Sequence, residues 1–249
     1  MRCTSCLEPV DTLYTEPKKE VFQLTKCGAC KEIVDPYIEM EQPIILVDLI
    51  LCKAQVYRHL LFNHTFQASA WLFIKVFLTN ILLDSYKKFY TIIHLPPYSD
   101  DNAISSGAHY YQELPLAIPR CISSISASNL GIYSVVLSTV ENIVQILTLF
   151  VLLRIISHVY NKKYMKDNML KMMIIFLLSS FGKSGIMVMH IWQYDLTCLA
   201  VIDTFSLVSN IMAIKEYTAT NSLFSFIVML AARLSVILLR VLVMMVFCQ

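Results

Sequence analysis

Leu223-Phe224-Ser225-Phe226-Ile227-Val228-Met229-Leu230-Ala231-Ala232, then a single Arg233, then Leu234-Ser235-Val236-Ile237-Leu238-Leu239, is too long and too apolar for a soluble helix. Continued to Phe247, it exceeds the roughly 20 residues that cross a hydrocarbon core. Working back from it, similar runs occupy residues 66–83, 130–153, 170–192 and 197–214. The composition agrees. The 249 residues are 57% hydrophobic and only 15% charged, with a mean hydropathy of +0.61. Soluble domains carry about 25% charged residues, and a globule of this size cannot hide such an excess inside. An ordinary soluble enzyme and a disordered chain are both disfavoured. The expected fold is an α-helical polytopic membrane protein with about five spans and a long loop over 84–129.

The polarity that remains is concentrated at the start. Residues 1–41 are polar, and residues 1–63 hold seven Lys/Arg against nine Asp/Glu. Cys3-x2-Cys6 is followed by Cys27-x2-Cys30, two knuckles spaced as in a tetrahedral zinc site. A zinc-ribbon-like domain over 1–41 follows, with strands expected at Val10–Tyr14 and Glu20–Leu24 and a turn at Glu16-Pro17-Lys18-Lys19. So few residues bury too little surface to fold unaided, and a metal staple supplies the missing stability. Two disulfides are the alternative, disfavoured by a reducing cytosol. Four thiolates fill the metal's shell, so Zn2+ here is structural and not catalytic. The acidic balance argues against nucleic acid as a partner. Cys52, Cys121, Cys198 and Cys248 are isolated and read as small apolar residues. No repeat of 20–50 residues is evident.

Residues 42–65 read as one amphipathic helix lying in the membrane interface, with Pro43 in its first turn. At 100° per residue Asp48, Cys52, Gln55, His59 and Asn63 fall within about 60–80° of one another. That stripe faces water or the cysteine domain, or forms a polar groove for a lipid head group. Lys53 and Arg58 extend it by snorkelling toward phosphates. Asp48 and His59 lie three turns apart, about 16 Å, too far to pair along one helix. The sequon Asn63-His64-Thr65 abuts a span and is expected to stay unglycosylated.

The knuckles combine with Ile33-Val34-Asp35-Pro36-Tyr37-Ile38-Glu39, Pro43-Ile44-Ile45-Leu46-Val47-Asp48-Leu49-Ile50-Leu51 and Cys52-Lys53-Ala54-Gln55-Val56-Tyr57-Arg58-His59-Leu60-Leu61-Phe62-Asn63. Together they resemble the homology domain of the ARV family (ACAT-related protein required for viability). The resemblance covers residues 1–63, about a quarter of the chain. It implies a multi-pass endoplasmic-reticulum membrane protein acting in sterol and sphingolipid homeostasis, intracellular sterol transport and delivery of glycosylphosphatidylinositol precursors. The implied partners are those membrane lipids and membrane enzymes of lipid or anchor synthesis.

Charge placement orients the chain. Arg154, Lys162, Lys163 and Lys166 mark a cytosolic connection, and Gln193-Tyr194-Asp195, without Lys or Arg, a lumenal turn. Five spans then put the N-terminus in the cytosol, where its thiols stay reduced. Lys87, Lys88 and Arg120 in the 84–129 loop run against this count, and a re-entrant 66–83 leaves a four-span alternative. Every proposed span carries a charge, namely Lys75, Glu141, Lys183, Asp203, and Arg233 with Arg240. Such groups face the bundle interior, pair, or line a polar pathway. Glu141 with Lys183 and Asp203 with Arg233 are the expected pairs. No phosphate loop, GxSxG elbow or HExxH is present, and the six histidines are scattered. A non-enzymatic lipid-handling protein is therefore expected. A lipid transporter or scramblase, and an accessory subunit of a lipid-modifying enzyme, are the alternatives.

Overall fold

The computed structural model describes residues 1–18, 21–64, 69–94, 127–159, 169–192 and 197–247. A two-stranded antiparallel hairpin, β1 (Tyr14–Lys18) and β2 (Val21–Leu24), is followed, among the described residues, by eight α-helices. Val10 is committed elsewhere, its N–H donating to the Met1 carbonyl, so β1 starts at Tyr14 and takes in Glu16-Pro17-Lys18 from the expected turn. The pairing register slips between Thr15 and Lys18, around Pro17, which has no N–H to give. Lys19 and Glu20 lie outside the described residues.

The expected single helix over 42–65 is instead two. Helix α1 (Gln42–Ile50) stops, and α2 (Ala54–Arg58) runs on into a wide turn, His59–Asn63. The Lys53 N–H donates to the Asp48 carbonyl and the Cys52 N–H to that of Leu49, while Cys52 takes φ 54°. This is a Schellman stop with cysteine at the left-handed position that glycine usually fills. The break redirects the stripe, so Asp48 lies on a different helix from Gln55, His59 and Asn63.

Helix α3 (Ala70–His94) replaces the expected span 66–83 and absorbs the first eleven residues of the expected loop. Helix α4 (Ala127–Val159) follows; residues 95–126, with Arg120 and Cys121, lie outside the described residues. Next come α5 (Met169–Ser179), a tight 3-10 segment (Ser180–Ser184) and α6 (Gly185–Trp192), which together fill the expected span 170–192. Helices α7 (Thr197–Thr218) and α8 (Ser222–Phe247) complete the bundle. The expected basic connection at Lys162, Lys163 and Lys166 and the turn at 193–195 fall outside the described residues.

Among the described residues, four segments are long and apolar enough to cross a membrane: Leu130–Val159, Met169–Met187, Cys198–Thr218 and Ser222–Val243. Helix α3 has the length but carries Lys75, Asp84, Lys87 and Lys88, and is not among them. The surface is inverted relative to a soluble protein. Leu147, Ile155, Leu238 and Leu242 are exposed, while Ser134, Ser138, Asn142, Ser206, Ser209 and Asn210 are buried. Such a bundle is suited to lipid outside and polar contacts within. The chain is thus a mostly helical, multi-pass membrane protein with a small cysteine domain at its start.

Helix α2 is not laid on the surface. Val56, Tyr57 and Leu61 join one continuous core with Leu149, Leu153, Met172, Ile214 and Met229 of the bundle. The cysteine domain keeps a separate, much smaller core of Cys3, Leu13, Cys27 and Val34.

Candidate metal centre and its seat on the membrane helices

The two knuckles are copies of one loop at an offset of 24 residues (27 − 3 = 24). The Leu7 N–H donates to Cys3, as the Lys31 N–H does to Cys27, each at 3.0 Å. The Cys3 N–H donates to Glu8, and the Cys27 N–H to Glu32, at 2.9 and 2.7 Å. Leu7 and Lys31 both sit at positive φ, 67° and 66°. The matching Cys-x2-Cys-x-Glu-x-Val pattern is visible in the sequence as Cys3–Val10 and Cys27–Val34, a duplication too short to read as a structural repeat.

The four sulfurs lie within 4.8 Å of one another, with Cys3–Cys30 at 3.7 Å and Cys6–Cys27 at 3.6 Å. A disulfide needs about 2.05 Å. A tetrahedral site with metal–sulfur bonds of about 2.3 Å has edges near ~3.8 Å, so the arrangement fits a four-thiolate metal centre. Their acidities diverge. The backbone N–H groups of Cys30 and Ala29 hold the Cys27 thiol down at about 7. Cys30 accepts from the Glu32 N–H, which favours its thiolate, yet burial and the sulfurs of Cys6, Cys27 and Cys3 push it up to about 12. A cation at the centre removes that conflict by stabilising all four thiolates together.

The wide turn carries the seat of this domain. Asp35 is fully buried and accepts from Asn63 Nδ2 at 2.7 Å and from the Tyr37 N–H at 3.1 Å. Its second oxygen also meets His59 Nδ1 at 2.7 Å. Asn63 exchanges two hydrogen bonds with the Arg2 backbone, at 2.9 and 2.8 Å, as an added strand would. Asp48 accepts from the Tyr37 hydroxyl at 2.9 Å and pairs with Lys53 at 2.7 Å. Lys53, then Tyr37, hold the Asp48 carboxyl below its ordinary range against the opposing effect of burial. Gln55 reaches the Ser5 hydroxyl at 3.4 Å. The Asp35–His59 pair has no nucleophile on its other side, since His59 Nε2 is buried without a partner among the described residues.

Arg58 ties the domain to the bundle. Its Nη1 donates to the Thr4 and Ser5 carbonyls, the two residues between the first pair of cysteines, at 2.8 and 2.7 Å. Its Nε donates to Glu216 on α7 at 2.6 Å. From the preceding residue, the Tyr57 hydroxyl meets Ser209 of α7 at 2.7 Å. Arg58 and Lys53 thus bind protein carboxylates rather than standing free for phosphates.

The intramembrane charges pair, but not as expected. Glu141 is held by Arg240, Nε and Nη2 each at 2.6 Å, and by Lys88 at 2.9 Å, not by Lys183. Lys183 pairs with Asp84 at 2.8 Å, and Asp203 with Lys87. Arg233 does not reach Asp203, and its Nε lacks a partner among the described residues. Lys75 lies over the Trp71 ring at 5.2 Å. The missed partners Asp84, Lys87 and Lys88 share one helix face at spacings of three and four, a signal obscured when 84–129 is read as loop. Asp35 and Glu216 carried no motif, and their partners lie 24 and 158 residues away in the chain.

The sequence model described as the Arv1-like family matches residues 2–214. A curated protein of Dictyostelium discoideum, "Protein arv1 homolog", is 31% identical over 236 residues, covering 89% of this chain and 86% of its own. The human "Protein ARV1" is 29% identical over 235 residues, covering 94% and 78%. The "Protein ARV1" of Saccharomyces cerevisiae is 48% identical over 63 residues, 25% of this chain and 20% of its own. No solved structure matches.

Proposed function

The chain belongs to the Arv1-like family, and from that premise we propose that it is a non-catalytic mediator of sterol and sphingolipid homeostasis in the endoplasmic-reticulum membrane. Intracellular sterol transport and delivery of glycosylphosphatidylinositol precursors are the tasks assigned to it, with its N-terminus in the cytosol. Cys3, Cys6, Cys27 and Cys30 hold one structural Zn2+, which supplies a rigid staple and no open coordination position. The observation that carries the reading is the seat of this cap. Arg58 and Tyr57 fasten it to the membrane helix α7, so the cap and bundle act as one lipid-facing body. The test is the distribution of sterol between endoplasmic reticulum and plasma membrane in cells depleted of the chain. Redistribution that re-expression reverses is expected, and an unchanged distribution overturns the reading.

A transporter reading is favoured by one further observation, the charged seam formed by Asp84, Lys88, Glu141, Lys183 and Arg240 between membrane helices. Purified protein in liposomes then moves labelled lipid between leaflets, and transfer no faster than in empty liposomes overturns it.

A further inference from the structure

The carboxylate of Glu141 sits on α4 with a cation on either side. Lys88 comes from α3 and Arg240 from α8. Two positive charges share one negative charge, so this node carries one unbalanced positive charge. The neighbouring node, Lys183 with Asp84, is balanced, with Asn142 adding a neutral donor to Asp84. Lys87 with Asp203 is balanced too. Lys88 also acts on the Asp84 carboxylate, so the excess belongs to the seam of Lys88, Lys183 and Arg240 against Glu141 and Asp84, and it lies among segments apolar enough to face lipid. An uncompensated charge is costly there and marks a functional position.

The node is open on its cationic side. The Glu141 side chain is 7% exposed, while Lys88 and Arg240 keep 15% and 19%. Lys88 spends one donor on Glu141 and one on the Ser138 hydroxyl, 2.7 Å away, which leaves a third. Arg240 spends Nε and Nη2 on Glu141, leaving Nη1. An approaching group thus meets spare donors from two cations, with the carboxylate behind them. A phosphate oxygen pair suits a guanidinium edge and an ammonium together.

The depth is also defined. Along α7, Glu216 at the cap and Asp203 beside Lys87 are thirteen residues apart (216 − 203 = 13), about 20 Å. Along α5 and the 3-10 segment, Lys171, which donates to the His64 carbonyl, and Lys183 are twelve apart (183 − 171 = 12), about 18 Å or slightly more. The charged layer therefore lies most of a hydrocarbon thickness away from the cap's seat.

We propose that Lys88 and Arg240 bind the phosphate of an anionic phospholipid head group, drawn from the leaflet opposite the cysteine cap. Such a site rests on the lipid-handling reading above, yet it is tested on purified protein whereas that reading is tested in cells, so either can fail alone. The experiment compares the melting temperature of the full chain in phosphatidylcholine nanodiscs with and without phosphatidylglycerol. A phosphatidylglycerol-dependent rise on the order of 5 °C is expected for the wild type. Lys88→Gln leaves the Glu141–Arg240 pair neutral. It should be at least as stable as wild type in phosphatidylcholine and gain nothing from phosphatidylglycerol. Lys75→Gln, which removes a positive charge elsewhere on α3, should keep the full rise. A wild type indifferent to phosphatidylglycerol overturns the site, as does a K88Q variant that keeps the rise. A K88Q variant less stable than wild type in phosphatidylcholine makes Lys88 a structural partner and overturns it as well. Glycerol phosphate added to detergent-solubilised protein separates a soluble anion from a lipid, and an equal rise there overturns the lipid assignment.

Discussion

Arg58 and Glu216 meet at 2.6 Å although 158 residues separate them, and the same guanidinium grips the loop that holds Cys3 and Cys6. Both side chains are largely withdrawn from solvent, at 18% and 3% exposure. Removing one partner leaves the other charge buried and alone, at a cost of about 3–5 kcal/mol. Arg58→Met should therefore lower unfolding stability in detergent by about 3 kcal/mol or more. The double variant R58M/E216L should recover much of the loss. Additive losses would show that the two residues act separately.

Metal removal should act on the cap before the bundle. The cap's own core is four side chains, too little to hold it without a staple. Metal analysis of purified protein should find one zinc per chain, absent from Cys27→Ser. After chelation, limited proteolysis should cut within residues 1–41 while helical circular dichroism is retained. An equally resistant cap with no metal would sink the zinc assignment.

Asp35 is the most heavily used acceptor of the seat. Asp35→Ala strands one hydrogen of Asn63 Nδ2, the Tyr37 N–H and His59 Nδ1 in a buried site. Each unpaired group costs about 1–3 kcal/mol, so D35A should destabilise by about 3 kcal/mol or more in a thermal melt. D35A with near wild-type stability would show the seat is wet or mobile.

Asp48 gives the cap a modest acid sensitivity. Lys53 and Tyr37 hold its folded-state pKa below the usual 3.8, so its contribution is fully present above that value. It is lost as pH falls through the depressed folded value. Lys53 is half exposed, which limits the pair to roughly 1 kcal/mol or less. Asp48→Asn should flatten that part of the acid limb of a stability–pH curve and leave the neutral plateau lower by a similar amount.

Gly182 lets the 3-10 segment touch α7. A Cβ there would lie 2.4 Å from Phe205 Cδ1, whereas one at Gly131 meets nothing within 4 Å. Gly182→Ala should cost about 1–3 kcal/mol by overpacking. Gly131→Ala, inside α4, should be neutral or stabilising by about 0.5–1 kcal/mol. Comparable melting temperatures for the two variants would refute the close crossing.

The membrane class and the cysteine cap were readable because both are written locally, as unbroken apolar runs and as paired Cys-x2-Cys. The break after Ile50 was not, since the stop uses Cys52 at a position where glycine would have announced it. From sequence alone helix α3 ends at residue 83, because Asp84, Lys87 and Lys88 look like loop residues until Lys183, Asp203 and Glu141 are brought against them. Glu141 and Lys183 were recognisable as buried charges, but their partners depend on which helices touch. Sequence spacing within a helix carries no such information. A separation of about 16 Å between Asp48 and His59 holds only along one continuous helix. The fold instead brings both residues against Tyr37, whose hydroxyl donates to Asp48 and whose ring lies 5.5 Å from that of His59.

The long separations across the seat set an order in time. Both knuckles exist once residue 30 has been made, so the metal can be captured early in synthesis. Tyr57 and Arg58 must wait for Ser209 and Glu216, 152 and 158 residues later. At 5–20 residues per second that interval is roughly 8–30 s. Throughout it, the surface that later becomes the junction between cap and membrane is bare. Quality-control factors that read exposed polar residues beside a membrane therefore have a defined window on the nascent chain, and α7 closes it.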